Sequence, residues 1–373
     1  MLMTETPAAP KHLSYLDSAR GIAAIMVMVY HFIVFRYGDE LPVKVASIVF
    51  NGSDAVSFFF VLSGFVLSYK TVVLGESMDV GRFFVSRFFR LWPAYFLTLL
   101  LNVNYNLSLF HYSAEGFREV FIENNNGFWQ ELMLLRSVGH YYIPGWTLGV
   151  EMTLSLLVPF WIIIGKKSPR FIWWLILVNL LGFINIYFTH FMLGILLSFL
   201  YTYISSASFK ATRWYQYRYA LIAAAIVLFS IRHIERISHF GPSYFEVARF
   251  FGVDFFHYTG FASFVFLAAI IQSPKARQVL AHGILTFFGK ISYGIYLMHW
   301  LIVVYAYSFL DQLKQSMPEN AALGLLLAAT IAATILSAVL LHYLVELPFI
   351  KMGKNIARKM KPTLIVGNEP LVQ

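Results

Sequence analysis

Ten apolar stretches, separated by polar or basic breaks, run along the chain near residues 16–36, 54–74, 91–110, 146–165, 171–187, 189–205, 219–231, 255–273, 285–310 and 321–346. A helix crossing the apolar core of a bilayer needs about 20 such residues. The pattern predicts an all-α, polytopic membrane protein of about ten transmembrane helices over 16–350, with a polar N-terminal tail over 1–15 and a basic C-terminal tail over 351–373. The first fifteen residues lack a basic start leading into an apolar core and a small-residue cleavage site, so no cleaved leader is expected. No internal repeat is visible. In the longest break, about 111–145, Phe128, Trp129, Leu132, Met133 and Leu135 fall at helical spacing. They predict an interfacial helix that serves as an anchor or as a lid.

Composition sharpens this. Of 373 residues, 59% are hydrophobic and 13% charged, against about 25% charged in an ordinary soluble domain. So little charge cannot cover a water-facing surface, which excludes a soluble enzyme, a disordered chain and a nucleic-acid-binding module. The 37 Phe and 22 Tyr suit lipid contact and interfacial belts. Cysteine is absent, which removes disulfides, thiolate metal sites and a Cys nucleophile. No phosphate-binding glycine loop, dinucleotide fingerprint or His-Glu-x-x-His pattern occurs, and no metal is expected.

The net charge of +9 is unevenly placed. With ten spans and the N-terminus inside, 20 of the 28 basic residues fall on the cytoplasmic side, and both ends of the chain are cytoplasmic. The tail residues Lys351, Lys354, Arg358, Lys359 and Lys361 would also meet anionic membrane lipids.

Polar residues inside the apolar spans carry the candidate chemistry, because a mid-membrane Asp or Arg costs about 2.5–3.5 kcal/mol on insertion scales. In the first span, His31 follows Arg20 by eleven residues and returns to within about 20° of its face. Asp17 lies about 60° from Arg20, so one stripe rises about 21 Å from Asp17 to His31. Gly21 and Ala24 allow a neighbour or a ligand to approach. The plainer reading is an Asp17–Arg20 headgroup pair and a satisfied buried histidine. Glu151, five residues beyond Trp146 in the fourth span, is expected at the depth of His31, where a carboxylate would orient the imidazole. Arg82, Arg87 and Arg90 precede the third span, and Arg87 and Arg90 share a helix face suited to phosphate oxygens or lipid headgroups. The ninth span opens with Ser292, Tyr293, Tyr296 and His299, polar groups that can also bond neighbouring helices. Glu346 closes the last span at the cytoplasmic boundary, level with Arg20 and Arg87.

Taken in order, these residues resemble the acyltransferase-3 family of bacterial integral membrane acyltransferases. The likeness runs through Leu16-Asp17-Ser18-Ala19-Arg20-Gly21 with His31, Phe58 to Phe65 around Ser63, and Arg87 and Arg90 before Pro93. It continues through Trp146-Thr147-Leu148 with Glu151 and Pro159, the run from Ser292 to His299, and Glu346-Leu347-Pro348. It covers residues 13 to 350. Thr147 stands where the family usually has Ser, and Met152-Thr153-Leu154-Ser155 is less aromatic than usual. The resemblance implies a ten-helix inner-membrane enzyme of the stand-alone form, lacking a periplasmic esterase-like domain. Such an enzyme is an O-acyltransferase, most often an O-acetyltransferase. It moves an acyl group from cytoplasmic acetyl-CoA to a hydroxyl of a cell-surface or lipid-linked glycan such as lipopolysaccharide O-antigen. It further implies that His31 is the catalytic residue and that Arg20, Arg87 and Arg90 serve the donor.

A neutral imidazole can take the proton of a sugar hydroxyl as it attacks a thioester. His31 is then the candidate base, Glu151 its orienting partner, and Asp17 the third candidate catalytic group on the stripe. Glu346 joins the three arginines at the donor site. Ser63, Trp146, Ser292, Tyr293 and His299 are candidates for substrate contact, the first three as donors to the tetrahedral intermediate. The expectation is a continuous tunnel that brings a thioester from below and an alcohol from above to His31, by direct transfer or through an acyl-His31 intermediate. A glycan transporter or flippase, or a non-catalytic scaffold, would use similar intramembrane polar residues.

Overall fold

The structure, a computed structural model, describes residues 12–37, 40–109, 111–123, 127–134, 142–180, 186–238 and 257–367. Its main helices are α1 (Ser14–Tyr37), α2 (Leu41–Val49), α3 (Gly52–Val72), α4 (Val80–Leu109), α5 (Gly145–Lys167), α6 (Pro169–Asn179) and α7 (Ile186–Ser205). There follow α8 (Arg218–Ser238), α9 (His257–Gln272), α10 (Gly283–Lys290), α11 (Ser292–Ser308), α12 (Glu319–Leu341) and α13 (Leu347–Lys359). Each of the ten apolar stretches contains a helix. Among the described residues, six helical stretches are long and apolar enough to cross a membrane, and the α10–α11 pair, bent by 66°, would make a seventh. The helix expected near 171–187 is present with 11 residues, and those near 219–231 and 255–273 have apolar parts, Arg218–Ile231 and Tyr258–Gln272, that are shorter than these spans.

The centre of the bundle is α3 and α7. Val61 and Phe65 on the first and Phe191, Leu193 and Ile195 on the second are wholly buried. A Cβ on Gly64 would overlap the Phe191 carbonyl oxygen, and one on Gly194 that of Val61. Glycine lets these two backbones touch, as in small-residue packing between membrane helices. α1 packs against the other side of α3 and crosses α10 just as closely. There a Cβ on Gly21 would stand 2.7 Å from the Gly289 nitrogen. That crossing sets α1 against the start of α11.

Three smaller features frame the site. The helix Gly127–Leu132 lies against α4, burying Phe128 and Leu132 and exposing Trp129 and Met133. The hydroxyl of Tyr95 donates to the Glu131 carbonyl at 2.6 Å, and the Trp92 indole to that of Leu132 at 3.2 Å. The expected interfacial helix is thus short and half-sunk; Leu135 lies outside the described residues. A π-turn, His342–Glu346, joins α12 to α13 and buries Glu346. Finally, strands β1 (Met78–Asp79) and β2 (Ile365–Val366) pair antiparallel, fastening the segment after α13 to the start of α4.

Candidate active site

A cavity of about 790 Å³ opens at the basic end of the bundle and runs inward between α1, α3, α4, α5 and α11. Six cationic side chains line it (Arg20, Lys70, Arg82, Arg87, Arg90 and Lys354) against four carboxylates, Asp17, Glu76, Asp79 and Glu151. The excess is positive, and its walls are fixed by hydrogen bonds. On α1, Arg20 holds Asp17 at 2.6 Å and donates through Nε to the Ser292 hydroxyl at 3.1 Å. Ser292 in turn donates to the Gly289 carbonyl at 2.8 Å, so the glycine crossing and the arginine secure one junction. At the mouth, Arg82 donates to the Met360 carbonyl, and Asp79 accepts from the backbone N–H groups of Arg82 and Thr363. Those hydrogen bonds, that from Arg82 foremost, hold the Asp79 carboxyl below its ordinary range.

Deeper in, Arg87 Nη2 reaches the Glu151 carboxylate at 2.7 Å and the Ser155 hydroxyl at 2.9 Å. Ser63 donates to the same carboxylate oxygen at 3.2 Å. The Nε of Arg87 is buried without a hydrogen-bond partner among the described residues. Tyr293 donates its hydroxyl to the Leu91 carbonyl at 2.7 Å. Glu346, turned inward by the π-turn, bonds His342 at 2.8 Å and lies within electrostatic reach of Arg90, leaving its Oε1 without a hydrogen-bond partner among the described residues. π-turns of this kind recur at functional sites. The inner end of the cavity is formed by Thr147, Leu148 and Tyr296.

His31 and His299 do not line this cavity; they form a pair behind it. His31 Nδ1 lies 2.9 Å from His299 Nε2, with the rings 7° from parallel. His299 Nδ1 lies 2.7 Å from the Tyr296 carbonyl, so that nitrogen carries its proton. In a neutral ring Nε2 is then the acceptor, and His31 donates to it from Nδ1. The network therefore assigns the free lone pair to His31 Nε2. His299 is buried, while His31 is partly exposed between Tyr30 and Trp300.

The structure thus brings together Asp17, Arg20, Ser63, Arg87, Arg90, Glu151, Ser292 and Tyr293 around one cavity, and His31 with His299 beside it. It does not bring together everything that was expected. Glu151 lies beside Arg87 and not beside His31, because α5 begins deep enough for Thr147 to meet Tyr296, one turn into α11. Asp17 stays at the far end of the stripe from His31, as the helix geometry predicted. The cavity lining reaches Tyr296 and includes neither His31 nor His299. Trp146 packs on Tyr187 with ring centres 5.0 Å apart, outside the cavity lining. Sequence reasoning missed the pairing of His299 with His31, and it treated Tyr296 as a helix-bonding residue. Their spacing of three along α11 was the available signal. Lys70 and Lys354, not expected at the site, also line the cavity.

Comparison with known sequences decides the family. The acyltransferase domain model of the acyltransferase-3 family matches residues 13–342. The chain belongs to the acyltransferase-3 family. Acyltransferase MdmB of Streptomyces mycarofaciens is 29% identical over 178 residues, covering 45% of this chain and 44% of that protein. Protein 2 in picA locus of Rhizobium radiobacter is 34% identical over 116 residues, 29% of this chain and 52% of the other. O-acetyltransferase PaAT-1 of Phomopsis amygdali is 24% identical over 193 residues, 39% of each. The chain spans about half or less of the length of these relatives. No solved structure matches it significantly.

Proposed function

We propose that the protein is a membrane O-acyltransferase, most specifically an O-acetyltransferase, that uses acyl-CoA and a glycan hydroxyl. The observation that carries this reading is the His31–His299 pair, with its lone pair on His31 Nε2, set just beyond a cavity with surplus positive charge. The family membership supports acyl transfer, and the name of the Phomopsis relative supports an acetyl group and an oxygen acceptor. The basic end of the bundle is then cytoplasmic, in a bacterial inner membrane.

In this reading the phosphates of coenzyme A rest against Lys70, Lys354 and Arg90, and Arg87 Nε supplies a further donor. The pantetheine arm points toward Thr147. The alcohol reaches His31 from the opposite side. Its oxygen bonds to the thioester carbonyl carbon while Nε2 takes its proton. As the tetrahedral intermediate collapses, the C–S bond breaks and the proton passes to sulfur, releasing the thiol and the ester. The imidazolium formed in between is held through its Nδ1–H by His299, which supplies orientation without a second charge.

Mass analysis of surface glycans from cells with and without the gene tests the reading. One acyl mass should disappear with the gene and stay absent when His31→Ala is supplied. Unchanged glycans would reject it, and a protein that moves glycan without consuming acyl-CoA would be a transporter.

A further inference from the structure

One side chain stands between the donor cavity and the histidine pair. The Tyr296 ring closes the inner end of the cavity, 5.8 Å from Phe59 and 5.6 Å from His299, centre to centre. Its hydroxyl lies 2.7 Å from that of Thr147. Thr147 is 2.9 Å from the Pro144 carbonyl and gives its own proton there, so Tyr296 is the donor in the pair. The Tyr296 hydroxyl has a second, weaker acceptor in the Pro144 carbonyl at 3.5 Å, and the Tyr296 backbone is anchored separately. Its carbonyl accepts from His299 Nδ1 at 2.7 Å and from the Tyr142 hydroxyl at 3.4 Å. Because His299 is hydrogen-bonded to the Tyr296 backbone and not to its ring, moving the ring aside requires release of the hydroxyl links to Thr147 and Pro144 but not of the His299 hydrogen bond.

We infer that Tyr296 is a shutter between cavity and base, latched by Thr147, and that it decides whether an alcohol or water accepts the acyl group. This rests on the acyl-transfer reading above. While the latch holds, the Tyr296 ring lies between water filling the cavity and the histidine pair. A thioester entering from the cavity competes with Thr147 for the Tyr296 hydroxyl and displaces the ring, so the path opens when an acyl group occupies it. With the latch broken, water takes the place of the alcohol. The water oxygen bonds to the carbonyl carbon, the C–S bond breaks, and one water proton goes to sulfur, leaving a carboxylic acid and the thiol.

The test uses the full chain in proteoliposomes with acetyl-CoA and no acceptor, following thiol release, together with glycan acetylation in cells. Tyr296→Phe keeps the ring and removes the donor; Thr147→Val breaks the same link from the other side. Both should raise acetyl-CoA hydrolysis severalfold and lower the acetyl groups delivered per acetyl-CoA consumed. Adding His31→Ala to either should abolish the leak. Wild-type hydrolysis and coupling in Tyr296→Phe would overturn the inference. So would a silent Thr147→Val beside an inactive Tyr296→Phe, which would make the Tyr296 hydroxyl a catalytic group acting on the reacting atoms. A wild-type protein that transfers no acetyl would reject the acyl-transfer reading, and the inference with it; transfer with an unaltered hydrolysis ratio in both variants rejects the shutter alone.

Discussion

Ser292, beside the charged cavity, and His299, in the histidine pair, lie only seven residues apart on α11, about 10 Å along the helix. Their surroundings differ in kind. Around Ser292 are guanidinium and carboxylate groups, each cation on a wall where an anionic ligand could replace or join its partner. Around His299 are aromatic rings and one other imidazole, and the pair is aligned by neutral hydrogen bonds alone. In the proposed reaction, charge sits where a nucleotide's phosphates would remain, and an uncharged base would sit where a proton must be collected. A desolvated carboxylate next to His31 would have mixed the two tasks; placing Glu151 on Arg87 keeps them apart.

The sharpest way to break this division is at the base. His31→Ala should lower acyl transfer by about a hundred- to ten-thousandfold, the usual worth of a general base, with acetyl-CoA binding intact by titration; more than a tenth of wild-type turnover would remove His31 from that role. Next comes the cavity. Arg87→Ala forfeits a charge-assisted hydrogen bond worth roughly 1.5–3 kcal/mol, so acetyl-CoA binding should weaken by about tenfold or more while acceptor affinity changes little, both read by calorimetry. An unchanged donor affinity would take Arg87 out of the donor site. His299→Ala should then cut kcat by about tenfold, since a lost hydrogen-bond partner costs roughly 1–3 kcal/mol, with His299→Gln recovering part of it because its amide oxygen accepts the same proton. Equal losses in both variants would point to packing.

Two smaller effects concern the frame. Gly21→Ala forces a methyl group against the Gly289 backbone and should cost roughly 1–3 kcal/mol of stability, seen as a lower unfolding midpoint in detergent. An unshifted midpoint would mean that α1 and α10 are not in contact. The Asp79 carboxyl is lowered in the folded protein, so the β1–β2 clasp gains stability from it above the ordinary carboxylate range and loses that contribution as pH falls through the lowered range. Asp79→Asn should abolish this acid dependence. Protection of the Thr363 amide from hydrogen exchange, compared across pH, would read it, and an identical profile in the variant would refute the link.

Much of this was legible in the chain. The ten apolar stretches were, because hydropathy is a local property, and so was the stripe from Asp17 to His31, because a single helix fixes its own angles. The partners were not. His31 and His299 stand 268 residues apart, and nothing local in either span encodes their meeting. Nor was the partner of Glu151 legible, since it bonds Arg87 and Ser63 on two other helices. The inward turn of Glu346 depends on one π-turn, which no hydropathy pattern announces. The family motifs indicated which residues gather, and the helix crossings decided which of them touch.

The β1–β2 clasp has a practical consequence for handling the protein. His12 and Ile365, from opposite ends of the described chain, both line the mouth of the same cavity. A purification tag or fluorescent fusion appended next to either would begin at the rim and compete with whatever enters. Labels belong on exposed residues outside the cavity lining, for instance near Trp129 and Met133.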